Sequence, residues 1–447
     1  MDFSKVAVKV GEVLLPHPRL DLYKWAVVAC DQFTSQPEYW EKVAAVVGDA
    51  PSTLELIFPE VYLGKGNDKE RIDRINVRMQ QYLDSQILVP TGPGLIYVER
   101  RTAYGNLRKG LVAAVDLEAY DYHPGAVTLI RATEGTVLER IPPRVQIREQ
   151  AVLELPHIML LIDDPSARVI EPLAAKTGQF TKLYDTDLMM QGGHVTGYLI
   201  NEPRILEEIG HGLSCLADPE AFNRKFGLSG AAPLLFAVGD GNHSLATAKT
   251  VWENLKKQGG INPVRHPARY ALVEIVNVHD PGLRIEPIHR VVFHVDEVEF
   301  FKAMANALAP NGFELHRLER FEQIAAWLPT AGQRRPDNCQ MFGFISAKGP
   351  GIIRLTQPAH NLAAGTLQEF LDRWVQDHPE TQVDYIHGAA VLRELGSRPD
   401  NIGFLLPAMA KSDLFKTVIY NGVLPRKTFS MGEAEEKRYY MECRKIR

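Results

Sequence analysis

Cysteine is scarce in this chain: four residues in 447, Cys30, Cys215, Cys339 and Cys443, widely separated and without a C-x-x-C pair. That excludes a disulfide framework and makes a reducing compartment the simpler expectation. Long apolar runs are missing too, since no stretch approaches the roughly 20 residues that a membrane-spanning helix needs. The opening residues lack the basic segment and long apolar core of a secretion signal, so the sequence predicts a soluble, cytoplasmic protein. No excess of one charge exists: 50 Lys and Arg stand against 55 Asp and Glu, a net charge of −5. With the cations spread along the chain, no basic field gathers nucleic acid, which is therefore not an expected partner. No H-E-x-x-H or dense His/Cys cluster occurs, and a tightly held zinc is not expected. The pattern G-x-x-x-x-G-K-[ST] is also absent, which disfavours an ordinary P-loop.

What is present is an ordinary globular composition, 45% hydrophobic, long enough for a large core and two or three domains. Strand-like and helix-like segments alternate. "YKWAVVACDQF" reads as a buried strand ending at Asp31, and "SQPEYWEKVAAVVG" as a helix capped by Ser35 and stopped by Gly48. Ile72, Ile75, Met79 and Leu83 recur at spacings of three and four, the stripe of a surface helix. "GLIYVERR" and "LRKGLVAAVDL", joined by "TAYGN", predict a hairpin. A helix around "PPRVQIREQAVLE" and the strand "HIMLLIDD" follow. "ARYALVEIVNV" and "GLRIEPIHRVVFHV" read as neighbouring strands across the turn "HDPG". Past about residue 296 the units shorten. The expected fold is α+β, with mixed sheets and surrounding helices, a main domain over 1–295 and a smaller α/β region over 296–447.

The chemistry concentrates in "LLFAVGDGNHSLATAKTVWENLKK", residues 234–257. "PLLFAVGD" is a short apolar run of the kind buried on both faces of a sheet, while Leu245, Ala248, Trp252 and Leu255 recur at helical spacing. Gly239 to Ser244 therefore sits on a strand-to-helix turn. Such a turn aims the free N–H groups of the helix's first turn at one place, where a phosphate or carboxylate is favoured. Gly239 and Gly241 let the backbone approach that anion. The spacing G-x-G-x-x-S mimics a dinucleotide fingerprint, but no acidic residue ends a strand about 20 residues later. Asp240 beside a phosphate makes sense if a cation bridges them, or if the acid orients an imidazole or takes a proton from a hydroxyl. Asp240 and His243, three apart, can face one ligand. The competing expectation is that Asp240 and Asn242 cap the helix while His243 packs.

"VGDGNHSLATA" resembles the D-G-H-H-R signature of bacterial domain-of-unknown-function family 1015. Three further segments resemble that family in sequence order: "IRATEGT" at 130–136, "GLRIEPIHRVV" at 282–292 and "GVLPRKT" at 422–428. The chain departs from the pattern at Asn242, where the family has its first His, at Ser244, where it has Arg, and at Ala132-Thr133 before Glu134. The turn is also similar, more distantly, to that of the ParB-like and free-serine-kinase superfamily. This resemblance implies a nucleotide-phosphate cradle of Gly239, Asp240, Gly241, Asn242, His243 and Ser244, with Asp240 as the contact for Mg2+ and ATP or ADP as nucleotide.

For a base, Glu134 in the loop after "AVTLIRA" is the first candidate and Asp31 the second, each with a turn or N-cap role as the alternative. His289 and Arg290 in "RIEPIHR" and the adjacent cations Arg426 and Lys427 after Pro425 are candidates for neutralising phosphate charge, surface charge being the plainer reading of the latter pair. As strand neighbours, His289 and Arg290 should point to opposite faces. Arg140 and Arg144 could pair with a substrate carboxylate or be solvated, and His194 and His387 adjoin glycines. The leading expectation is a phosphotransferase acting on a small hydroxyl compound such as free L-serine. The alternatives are a nucleotide-responsive, ParB-like regulatory or DNA-binding protein and a non-catalytic anion-binding module. The sequence leaves the oligomeric state open, a homo-oligomer included.

Overall fold

The computed structural model describes residues 2–329, 339–425 and 427–447. Two compact units emerge, Met1–Arg284 with Gly432–Arg447, and Ile285–Met431. The change of texture expected near residue 296 thus lies inside the second unit, and the last residues of the chain belong to the first.

The first unit is built on a mixed sheet of eleven strands. Its strands in chain order are β1 (Val8–Lys9), β2 (Gly11–Pro16), β3 (Leu88–Arg101), β4 (Leu107–Asp116), β5 (Tyr120–Asp121) and β6 (Ile130–Ala132). A separate short strand, β7 (Leu153–Glu154), is followed by β8 (Met159–Ile162), β9 (Thr181–Leu188), β10 (Gly193–Ile200), β11 (Phe236–Asp240) and β12 (Tyr270–Asn277). The spatial order is β5-β6-β11-β8-β12-β4-β3-β10-β9, with β1 on β4 and β2 on β3. β11 lies inside the sheet, parallel to β6 and antiparallel to β8. Both its faces are covered, which is why "LLFAV" is apolar without alternation.

Helices α1 (Leu22–Trp25), α2 (Pro37–Val47) and α3 (Asp68–Asp84) bury Trp25, Trp40, Ile72 and Met79 in one core with Ile96, Val98 and Val112 of the sheet. α4 (Ile141–Arg148) starts with prolines in its first turn, where an N–H has no intrahelical partner anyway. On the opposite face α5 (Pro203–Leu216) and α7 (Asn242–Gln258), with α6 (Pro219–Phe226) between them in sequence, bury Ile209, Leu213, Leu245 and Trp252 against Leu95, Tyr97, Leu160 and Phe236. Alternate residues of β3 thus serve two cores, as the period of two in a strand requires.

Several expectations are corrected. "YKWAVVACD" is no strand: α1 ends at Trp25, and the buried extended segment after it makes one isolated bridge, Val28 to Tyr439. Gln36, not Ser35, precedes α2, while Gly48 does end it. Tyr82 rather than Leu83 completes the buried stripe of α3. The strands expected as neighbours across "HDPG" belong to different sheets, because β12 lies in the large sheet while the chain after Arg284 enters the second unit.

That unit holds β13 (Ile285–Pro287), β14 (His289–Phe293), β15 (Phe313–Arg317), β16 (Gln340–Ser346), β17 (Gly349–Leu355), β18 (Gln382–Ile386), β19 (Asn401–Leu405) and β20 (Phe429–Met431). Six form an antiparallel sheet in the order β15-β17-β16-β19-β14-β18, and β13 pairs with β20. α8 (Glu297–Leu308) and α10 (Ala363–Asp377) pack Phe300, Leu367 and Leu371 on one face; α9 (Ile324–Trp327), α11 (Ala389–Gly396) and α12 (Lys411–Asn421) complete the unit.

The C-terminal residues act as a strap on the first unit. β21 (Arg444–Lys445) pairs with β7, and Leu14 and Cys443 form a bridge with hydrogen bonds both ways. Trp25 Nε1 donates to Met441 O at 3.0 Å. Under the strap the Arg438 guanidinium, fully enclosed, donates to Glu274 of β12, to Glu442 Oε2 at 2.5 Å and to Pro156 O at 3.0 Å. Tyr184 donates to Glu442 at 2.5 Å, and Arg444 holds Glu154 at 2.6 Å.

Candidate active site

The turn after β11 is shaped by two local features. The register with β8 shifts between Val238 and Asp240, a bulge at Gly239 that re-aims the Asp240 side chain. Gly241 then adopts φ 79°, and a Cβ there would lie 3.1 Å from the Ile158 Cα. Only glycine meets both conditions without strain. α7 starts at Asn242 with Gly241 as its N-cap residue and no side-chain cap. The capping expectation is thereby corrected: neither Asp240 nor Asn242 caps the helix.

Asp240 instead accepts from the Gly241 N at 3.1 Å and pairs with Lys437 Nζ at 3.1 Å. The strap thus puts a cation at the turn. Asp31 lies within the electrostatic reach of the same Lys437: burial raises its carboxyl's proton affinity, but the charges of His157 and Lys437 and the Gln32 amide outweigh that and hold it below the ordinary range. Lys437 thus pairs with Asp240, and its charge also acts on Asp31. Hydrogen bonds from Ala29 N to Arg438 O and from Tyr440 N to Val27 O fix the segment that carries Asp31 against the strap.

The Glu134 loop lies over the turn. Ala132 of β6 is in register with Val238 of β11, so Glu134 and Asp240 each follow that pair by two residues. Thr133 Oγ1 donates to Val238 O at 2.6 Å, Asn242 Nδ2 reaches Thr133 Oγ1 at 3.5 Å, and Val137 N donates to His243 Nε2 at 3.2 Å. Asn242 Oδ1 is buried without a hydrogen-bond partner among the described residues, which an acceptor in a native site rarely is.

Ser244 Oγ stands 2.6 Å from His157 Nε2, and His157 Nδ1 stands 2.9 Å from the Tyr440 hydroxyl, which accepts from Cys30 N at 3.1 Å. Burial pushes the Cys30 thiol and the Tyr440 hydroxyl well up. These groups border a cavity of about 140 Å3 whose remaining walls are mostly apolar, Phe58, Met79 and Ile147 among them. Arg144 also lines it and pairs with Glu60 at 2.5 Å, both largely buried, so it is not the solvated helix-start arginine it could have been. Arg140 is exposed, its carbonyl accepting from Arg144.

His289 and Arg290 are buried in the second unit, on β14. Leu406 N donates to His289 Nδ1 at 3.2 Å, and burial with the neighbouring Arg290 and His387 lowers the imidazole to about 4. Arg290 donates to Ile288 O and, at 3.3 Å, to Gln368 Oε1, beneath the Tyr385 ring. Lys427 is exposed at φ 55° in the same unit, and Arg426 lies outside the described residues. His194 sits on β10 between Asp185 and Asp187, each at 2.7 Å, which raises its proton affinity against some desolvation.

Sequence reasoning missed Lys437, Tyr440, His157 and Thr133. The signal for the first two was present in "KRYYMEC", where charged and apolar residues interleave as they do in a buried strand and not in a solvated tail. His157 precedes β8 with no pattern to mark it.

Among the described residues no helix is long and apolar enough to cross a membrane, and no three His, Cys, Asp or Glu side chains gather closely enough to hold a metal ion. No curated protein matches the chain. Among solved structures, a conserved hypothetical protein from Pyrococcus furiosus is 13% identical with a TM-score of 0.33, covering 74% of this chain and 90% of its own. A free serine kinase in complex with AMP is 11% identical with a TM-score of 0.36 over 74% and 90%. SbnI from Staphylococcus aureus, with a C-terminal truncation, is 8% identical with a TM-score of 0.32 over 72% and 82%. The profile of the family described as protein of unknown function (DUF1015) matches residues 14–374. That span contains three of the four motif segments, the turn at 239–244 included, and the chain belongs to this family.

Proposed function

We propose that the protein transfers a phosphoryl group from a nucleotide, ATP or ADP, to a small hydroxyl compound, free L-serine being the acceptor that the turn's resemblance to the free-serine-kinase superfamily suggests. The observation that carries this reading is the uncapped start of α7, where Gly241 brings the backbone close and Lys437 pairs with Asp240. Phosphoryl transfer asks chiefly for positioning and charge neutralisation, which N–H groups and a fixed ammonium supply. The N–H groups of Asn242, His243 and Ser244 hold phosphate oxygens, and Lys437 screens Asp240 from them.

Mg2+ prefers oxygen ligands and leaves positions for water and substrate phosphates. The turn offers the Asp240 carboxylate and the orphaned Asn242 Oδ1, a donor set that suits it. When bound, the ion neutralises phosphate charge. Glu134 takes the proton from the acceptor hydroxyl; Asp31, held below the ordinary carboxylate range, is the weaker base.

Phosphorus NMR of the protein with Mg2+ and ATP, ADP, CTP or pyrophosphate against serine and a panel of small hydroxy acids tests this. A new phosphomonoester that disappears in a folded Asp240→Ala variant is expected. Nucleotide binding without transfer would overturn the enzymatic reading and leave an anion-binding module.

A further inference from the structure

The phosphate cradle uses Ser244 only through its backbone, and its hydroxyl is engaged on the other side, with His157. We propose that Ser244 is also a covalent nucleophile, with His157 as its general base, and that this pair hydrolyses carboxylic esters carrying a short apolar acyl group. Two observations converge. Ser244 Oγ lies 2.6 Å from His157 Nε2, and the second ring nitrogen is held by Tyr440 at 2.9 Å. A nucleophile within hydrogen-bond reach of a base that a third group orients is the arrangement of covalent catalysis. Both residues border the cavity of about 140 Å3, where Leu56, Phe58, Met79, Ile147 and Leu155 offer apolar contact to an alkyl chain, and the charged side chains of the lining are paired with one another, Arg144 with Glu60 and Arg148 with Glu154.

The tautomer the reaction needs is available. With Nε2 accepting from Ser244, the Nδ1 proton points to Tyr440 Oη, whose second lone pair takes Cys30 N–H. Ser244 Oγ adds to the ester carbonyl carbon and its proton passes to His157 Nε2. The C–O bond to the leaving group then breaks and the alcohol takes that proton. Water adds to the acyl-enzyme, giving its proton to Nε2, and Ser244 Oγ leaves and recovers it; the products are one alcohol and one carboxylic acid.

The full chain is mixed with p-nitrophenyl acetate and butyrate and, separately, with a fluorophosphonate whose adduct is located by peptide mass spectrometry. A burst approaching one nitrophenolate per chain is expected, with the adduct on Ser244. Ser244→Ala should abolish both, and His157→Asn should slow acylation by about a hundredfold or more, the usual contribution of a general base. Ile147→Trp, which narrows the cavity, should slow the butyrate more than the acetate; that selectivity decides the matter if His157→Asn fails to fold. No burst above the buffer rate, an adduct on another residue, or equal labelling of Ser244→Ala would overturn the proposal.

Discussion

Replacing Arg438 by methionine should unlock the strap that equips the site. The guanidinium is enclosed, and it donates to two carboxylates that are themselves almost fully buried, Glu274 and Glu442, and to the Pro156 carbonyl. Arg108 Nε, 3.6 Å from Glu274, and the Tyr184 hydroxyl on Glu442 compensate only in part. Removing one partner of a buried ion pair costs about 3–5 kcal/mol, because a charge is left without solvent or counter-ion. Methionine keeps the volume, so the loss is electrostatic. Urea unfolding followed by tryptophan fluorescence measures it, and hydrogen exchange at the Tyr440 and Cys443 amides, bonded to Val27 O and Leu14 O, reports on the strap itself. The triple variant Arg438→Met, Glu274→Leu, Glu442→Leu should recover most of the stability, since a packed apolar cluster can replace a buried charge cluster. A cost under about 1 kcal/mol for the single change, as for an exposed pair, would refute the reasoning.

Acid should destabilise the second unit through His289. Its folded-state affinity is lowered to about 4 from 6.5, so below pH 6.5 the unfolded chain binds the proton first and stability falls progressively toward pH 4. At 1.36 kcal/mol for each tenfold change in affinity the loss is about 3 kcal/mol; His289→Gln, whose amide oxygen can still accept Leu406 N–H, should flatten the urea-midpoint profile, and an imidazole that titrates near 6.5 by NMR would contradict this. Glu274 and Glu154, buried yet held low by Arg108 and Arg438, and by Arg444 and Arg148, are shifted downward as His289 is. Their stabilisation is complete above the ordinary carboxylate range and disappears as pH falls through their lowered values, so Glu154→Gln should reduce the acid sensitivity of the first unit in melting experiments. Gly241→Ala, forced to φ 79° against Ile158, should cost about 1–2 kcal/mol and weaken binding of inorganic pyrophosphate in calorimetry. Unchanged pyrophosphate affinity would show that the turn's backbone does not hold the anion.

The strand-turn-helix at 234–257 was legible because its signals are local. An apolar run long enough for a buried strand, two glycines and a helical stripe specify their own conformations, and Gly241 takes the left-handed φ that the turn demands. The segment ending at Asp31 was misread for the same reason in reverse: its apolar composition records burial, which the strap supplies with little sheet pairing. His289 and Arg290 looked like site residues by motif; their side chains are used inside the second unit, a distinction that no spacing reveals.

The sequence by itself determined the mixed α/β character, the position and type of the turn, and the family, since each depends on periodicity or on short runs of residues. Only the tertiary structure decided what faces the turn. Lys437 reaches Asp240, and His157 and Tyr440 reach Ser244 and Cys30, across separations of about 90 to 400 residues, and Arg438 and Arg444 of the strap find Glu274 and Glu154 from distant parts of the chain. A charge reveals whether it is buried only through its partner, and in this chain the partners lie far apart in sequence.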